Sequence, residues 1–96
     1  VSAADLRVHD AFIVRYDAAA QNSLPLHTDQ SDVSLTVALN GRSEYDGGGT
    51  WFEELGRAVC PEEGHIAVFP GHLFHGGHSI TSGRRYIIAV FMYVES

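Results

Sequence analysis

At 96 residues the chain has room for one domain with a single modest core, and none for a second domain. Its 45% hydrophobic and 19% charged content excludes a disordered or low-complexity chain. Six Lys+Arg against twelve Asp+Glu leave a net charge of −6, which argues against nucleic acid and anionic membranes as partners and favours cationic ones. In chain order, residues 2–6 read as one helical turn capped by Ser2. Residues 1–6 also lack the basic start and apolar core of a signal peptide, and no later apolar run reaches the length of a membrane span. Residues 8–16 read as a strand buried on both sides, with Val8, Phe12, Val14 and Tyr16 on one face and His9, Ala11, Ile13 and Arg15 on the other.

A loop over residues 17–25 delivers the chain to His27-Thr28-Asp29. On an extended backbone residues i and i+2 project the same way, so this imidazole and this carboxylate can converge on one ion. They are two members of a facial triad of two histidines and one carboxylate, which leaves three positions of an octahedral metal open and suits Fe(II) and oxygen chemistry. Taken alone, the triplet is a weak signal and reads first as a loop histidine bonded to a nearby aspartate, so a later histidine must complete it.

Residues 33–40 alternate strictly, with Val33, Leu35, Val37 and Leu39 apolar and Ser34, Thr36 and Ala38 small and partly polar. That pattern fits a barrel wall whose small face lines a ligand cavity, and it fits equally a sheet with one face in water. Residues 40–49 read as a turn region. Its Gly47-Gly48-Gly49 lacks the Lys-Ser/Thr of a phosphate-binding loop and serves positive φ or close backbone approach. Strands follow over residues 50–55, 57–60 and 65–69, with a turn at 61–64 and a stop at Pro70-Gly71. Cys60, the only cysteine, forms no internal disulfide and leaves the compartment open. Short strands with glycine-rich corners and no helical periodicity predict an all-β sandwich or double-sheet jelly roll.

His72, His75 and His78 follow at intervals of three. Gly71, Gly76 and Gly77 argue against a helix there, and on a strand His75 faces opposite to the other two. Thr81-Ser82-Gly83 reads as a turn, and residues 84–94 as a long central strand that is apolar on both faces. Arg85 breaks the apolar pattern. Pointing inward with Ile87 and Ala89 it needs an anion, because an unpaired buried cation costs several kcal/mol. An incoming dicarboxylate meets that need, and so does a surface acid at the strand mouth.

The set His27-x-Asp29, His75 and Arg85, ten residues beyond His75, resembles the Fe(II)/2-oxoglutarate-dependent dioxygenases. Phe12-Ile13-Val14-Arg15-Tyr16, Leu35-Thr36-Val37-Ala38-Leu39-Asn40, Tyr45-Asp46-Gly47-Gly48-Gly49-Thr50 and Gly83-Arg84-Arg85-Tyr86-Ile87-Ile88 read like the procollagen lysyl hydroxylase catalytic domain. His75-Gly76-Gly77 looks like the prolyl 4-hydroxylases. The resemblance covers residues 6–94 and implies a double-stranded β-helix, a cupin-like jelly roll without its usual N-terminal buttress helices. It further implies a metal held by His27, Asp29 and His75, with His75 selected by its spacing to Arg85, and 2-oxoglutarate held by Arg85, Tyr16 and Thr36. Fe(II), 2-oxoglutarate, O2 and ascorbate are the cofactors that follow. Residues 1–96 are then the core domain of a hydroxylase, either a piece of a longer chain or a small enzyme, whose substrate is a lysyl or prolyl side chain of a polypeptide. Thr36 and Thr50 depart from the lysyl hydroxylases, which resemble this chain with Asn and Cys there. Nucleic-acid demethylases of the superfamily carry a second arginine where Phe91 stands. A hydroxylase of free amino acids or small molecules, and a catalytically silent cupin-like metal-binding module, are the competing readings.

Overall fold

The computed structural model describes residues 5–95. The turn expected over 2–6 lies largely outside them, and Leu6 already belongs to the first strand. Nine strands follow in order: β1 (Leu6–Asp17), β2 (Leu24–His27), β3 (Val33–Ala38), β4 (Tyr45–Gly47), β5 (Thr50–Phe52), β6 (Arg57–Val59), β7 (Ile66–Pro70), β8 (His75–Gly77) and β9 (Ile80–Val94), with one 3-10 turn at Arg42–Glu44. All pair antiparallel. The larger sheet has the order β1-β9-β3-β7, with β4 added to the start of β9, and the smaller has the order β2-β8-β5-β6. This is the expected double-sheet, jelly-roll architecture.

The faces of the larger sheet are sorted by register. In β3 the small residues Ser34, Thr36 and Ala38 are buried while Val33, Leu35 and Val37 are only half-buried. The cavity-lining alternative for this strand is therefore the correct one, since an open polar face would leave Ser34 and Thr36 in water. β9 lies between β1 and β3, as its two apolar faces require. Its alternation puts Arg85, Ile87 and Ala89 inside and leaves Arg84 in water.

Several sequence expectations are corrected. β1 is an edge strand paired only with β9, and it is not buried on both sides: Ile13 is 68% exposed. A bulge at His9 sets Val8 opposite Met92 and Asp10 opposite Phe91. Val8 is thereby turned to the outer face, away from Phe12, because an extra residue reverses the alternation beyond it. Within the expected loop 17–25 the chain is already in β2 at Leu24, Pro25 being tolerated on an edge strand. β3 stops at Ala38 because the Asn40 side chain takes over the ladder, donating to Arg84 O (2.8 Å) and accepting from Tyr86 N (2.9 Å). β5 stops at Phe52, whose carbonyl accepts from Leu55 N and Gly56 N in a tight turn with Gly56 at φ +65°.

Thr81-Ser82-Gly83 is not a turn but the first part of β9, paired with Asp46 and Tyr45 of β4. Gly83 takes φ +76°, and a Cβ there would strike the Glu44 carbonyl. Gly83→Ala is accordingly expected to destabilise the fold by about 1–3 kcal/mol, combining left-handed strain with overpacking. Urea unfolding measures this, and an unchanged midpoint would show that the β4–β9 contact gives way freely.

Candidate metal centre

The centre joins the two sheets. His27 at the end of β2 and His75 at the start of β8 are cross-strand partners, with ring centroids 4.5 Å apart. Asp29 lies on the loop from β2 to β3, where its N–H donates to Gly71 O (2.8 Å). One ligand atom from each of the three lies within 4.8 Å of the others. The His75 ring is held by Phe69 (centroids 4.7 Å) and Phe52 (6.1 Å), both buried and inward-facing.

Tautomers follow from the partners. His27 Nδ1 meets Pro25 O and His75 Nδ1 meets Leu73 O, each at 2.7 Å. A carbonyl only accepts, so both Nδ1 atoms carry the proton and both Nε2 atoms of the neutral rings present lone pairs. Those Nε2 atoms lie 3.3 and 3.2 Å from Asp29 Oδ1 and Oδ2. Two lone pairs aimed at one carboxylate repel unless a proton or a metal ion lies between them. This donor set therefore fits a divalent cation, with the carbonyl partners orienting the imidazoles as second-layer groups do around metals.

The remaining histidines are elsewhere. His78 stacks on Trp51 (5.7 Å), and His9, His65 and His72 are exposed. A cavity opens in front of the triad, bordered among others by Ser34, Thr36, Thr50 and Ala89, and closed at its far end by Tyr16 and Ile87. Thr36 faces that cavity as expected. Arg85 does not itself border it: 2% exposed, the guanidinium lies 5.1 Å from the Tyr16 ring centroid and donates to Gly49 O (3.2 Å). No carboxylate of the described residues pairs with Arg85, whereas Arg84 pairs with Asp17 at 3.0 Å. A surface acid is thus ruled out as the partner of Arg85 among these residues.

Sequence reasoning missed Tyr45, Ser34 and Ser31. Tyr45 is buried against Arg85 and hydrogen-bonded to the Cys60 thiol (3.1 Å). Its only signal was a tyrosine before the glycine triplet. Gly48 and Gly77 leave room at this end, since side chains there would meet Tyr45 and Tyr16 respectively. Burial pushes the Tyr45 phenol up to about 12, with Cys60 acting the same way and Arg85 against it, and burial likewise raises Tyr16. A raised phenol pKa means the folded state holds its proton longer than the unfolded chain, so stability is complete below pH 10 and falls as pH rises toward 12. Tyr45→Phe is expected to flatten that alkaline loss, read as thermal midpoint against pH. An equally steep loss in the variant would assign it to other groups.

No protein-family model matches the chain. It is 39% identical over 85 residues to the multifunctional procollagen lysine hydroxylase and glycosyltransferase of Caenorhabditis elegans, a match covering 84% of this chain and 12% of that protein. Among solved structures it is similar to an oxidoreductase of the 2OG-Fe(II) oxygenase family from Burkholderia pseudomallei, with TM-score 0.77 and 19% identity over 95% of this chain and 46% of that one. It is also similar to the viral collagen prolyl hydroxylase of Paramecium Bursaria Chlorella virus-1, with TM-score 0.69 and 20% identity over 91% of this chain and 59% of that one. In sequence, then, the homologues of this chain are procollagen lysine hydroxylases, and in fold it is a double-stranded β-helix of the 2-oxoglutarate/Fe(II) oxygenase type.

Proposed function

We propose that this chain carries the catalytic core of an Fe(II)- and 2-oxoglutarate-dependent hydroxylase acting on lysyl or prolyl side chains of a polypeptide. The observation that carries the proposal is the confrontation of two imidazole Nε2 lone pairs with one carboxylate in front of a cavity. His27, Asp29 and His75 hold the metal. Tyr16 closes the cavity and Arg85 stands behind it, its guanidinium 5.1 Å from the Tyr16 ring centroid; these two take the distal carboxylate of 2-oxoglutarate, and Thr36 lies alongside. Fe(II) with 2-oxoglutarate and O2 supplies the chemistry, yielding succinate and CO2 while one oxygen atom enters a C–H bond. This chain's residues orient the ligands, anchor the cosubstrate and keep water out, and no protein acid or base is required. Names of the relatives support the substrate class, since the C. elegans protein is a lysine hydroxylase and the viral one a collagen prolyl hydroxylase.

Charge at the open end supports a cationic chain. Glu53 and Glu54 lie on the β5–β6 turn, where Glu53 N donates to Phe74 O beside His75, and Asp10 stands opposite Phe91. Glu44 and Asp46 are at the other end, beside the start of β9. The test is mass spectrometry of lysine- and proline-rich collagen-like peptides after incubation with Fe(II), 2-oxoglutarate and ascorbate, where a gain of one oxygen is expected. Succinate raised by free amino acids alone would favour the small-molecule reading, and metal binding without succinate the silent module.

Two binding predictions follow from the same residues. Co(II) at a hundredfold excess over its Kd should stabilise the protein by about 2.7 kcal/mol. His75→Ala and Asp29→Ala should abolish that gain, whereas His72→Ala and His78→Ala should keep it. A gain lost in either control instead moves the site. Arg85→Ala should leave metal binding intact and weaken 2-oxoglutarate by about 2 to 5 kcal/mol, the usual loss when a buried charge pair loses a partner. Arg84→Ala should bind the cosubstrate almost normally. Anaerobic titration decides, and a larger loss at Arg84 would reverse the assignment.

A further inference from the structure

We infer that Ser34, backed by Ser31, is the positioning residue that fixes the Asp29 carboxylate, holding one oxygen so that the other serves the metal. The inference rests on the metal centre proposed above and adds a role to residues outside the triad. Ser34 is 1% exposed and stands inside the barrel, where its Oγ donates to Asp29 Oδ2 at 2.7 Å. Ser31 Oγ lies 2.6 Å from Ser34 Oγ. The direction of this chain is determined: an ionised carboxylate only accepts, so the Ser34 hydroxyl hydrogen goes to Asp29, and Ser31 must donate to Ser34. A hydroxyl that already receives a hydrogen bond is a stronger donor, so the outer serine strengthens the inner bond.

The surroundings keep both hydroxyls in place. Gly71 has no room for a Cβ because Ser31 occupies that space, and the loop is tied by Asp29 N to Gly71 O (2.8 Å) and Gly71 N to Asp32 O (3.4 Å). Asp29 therefore has its backbone fixed by β7's end and its side chain fixed by β3. The chemical consequence concerns the open positions. An octahedral ion with three single-atom ligands keeps three positions free, enough for a chelating 2-oxo acid and O2, whereas a carboxylate bound through both oxygens leaves two. A hydrogen bond on Oδ2 opposes the two-oxygen mode.

Co(II) reports on this without turnover. Titration of the full chain gives the Co(II) affinity, and the Co(II) visible absorption band, with and without 2-oxoglutarate, reports ligand number. Ser34→Ala is expected to bind Co(II) about 10- to 100-fold more weakly, the usual loss when an outer partner of a metal ligand is removed. Its absorption band should differ from that of the parent, and 2-oxoglutarate should perturb it less. Ser34→Thr, which keeps the hydroxyl, should restore the affinity to within a few-fold, and Ser31→Ala should shift it in the same direction as Ser34→Ala but less. Parent-like affinity and spectrum in Ser34→Ala, or Ser34→Thr failing as Ser34→Ala does, would overturn the inference. If Ser34→Ala does not fold, Ser31→Ala decides alone, with no change in its Co(II) band or affinity counting against the hydroxyl chain. A parent protein that binds no Co(II) at all refutes the metal centre itself and is thereby distinguished from failure at Ser34.

Discussion

A one-residue slip of β9 against its neighbours would exchange its two faces, and the Arg85 end of the cavity depends on that register. As paired, Thr36 stands opposite Ala89 and Ser34 opposite Phe91, while Tyr16 stands opposite Arg85. The adjacent arginines show how sharply the alternation sorts equal charges. Arg84 reaches the surface and finds Asp17, whose carboxyl is lowered by the Ala19 N–H first and Arg84 second. Arg85 turns inward, where it meets the Tyr16 and Tyr45 side chains and the Gly49 carbonyl instead of a counter-charge. An exposed pair of the first kind contributes little to stability, whereas a buried cation of the second kind is costly unless an anion joins it, which is the place the proposed cosubstrate carboxylate would fill.

The metal centre depends in turn on the two sheets being held at one distance. Both imidazoles come from the smaller sheet, while the aspartate comes from the loop that leads into the larger sheet and is steadied by that sheet's Ser34. A cation shared by these three groups would tie one sheet to the other. Metal affinity and folding stability would therefore be coupled at this centre.

What could be read from the sequence was whatever depends on local alternation. The two faces of β3 and the inward Arg85 follow from a period of two, and the folded chain keeps both, whereas His27 and Asp29 converge although Asp29 lies past the end of β2, on the loop to β3. Where reading failed, a distant contact overrode local preference. Thr81-Ser82-Gly83 has turn composition, yet it pairs with β4 because Gly83 lets the Glu44 carbonyl approach. Val8 lost its expected face to a bulge that nothing in the hydrophobic pattern marks. Ser34 was read only as a small-face residue and Ser31 not at all, since only the folded loop brings two hydroxyls and a carboxylate into line. Asn40 looked like the last residue of a strand and is instead a side-chain substitute for one.

Giving the barrel interior to chemistry restricts where apolar mass can go. Inside, the buried apolar cluster is confined to Tyr16, Tyr45, Ile80 and Ile87, which plug the end where Arg85 lies. Phe52 and Phe69 pack on His75 at the other end, and further apolar residues line the outer face of the larger sheet in cross-strand rows such as Ile13, Ile88, Val37 and Ile66. With one end plugged, the other end is the way in, and there the side chain of His27 is 41% exposed. Phe74, next to His75 in the chain, is exposed, and its carbonyl accepts from Glu53 N on the β5–β6 turn that carries Glu53 and Glu54. Apolar surface and carboxylates thus meet at one opening. An aliphatic stem ending in an ammonium group is complementary to both at once, so the proposed lysyl substrate matches the entrance as well as the metal centre behind it.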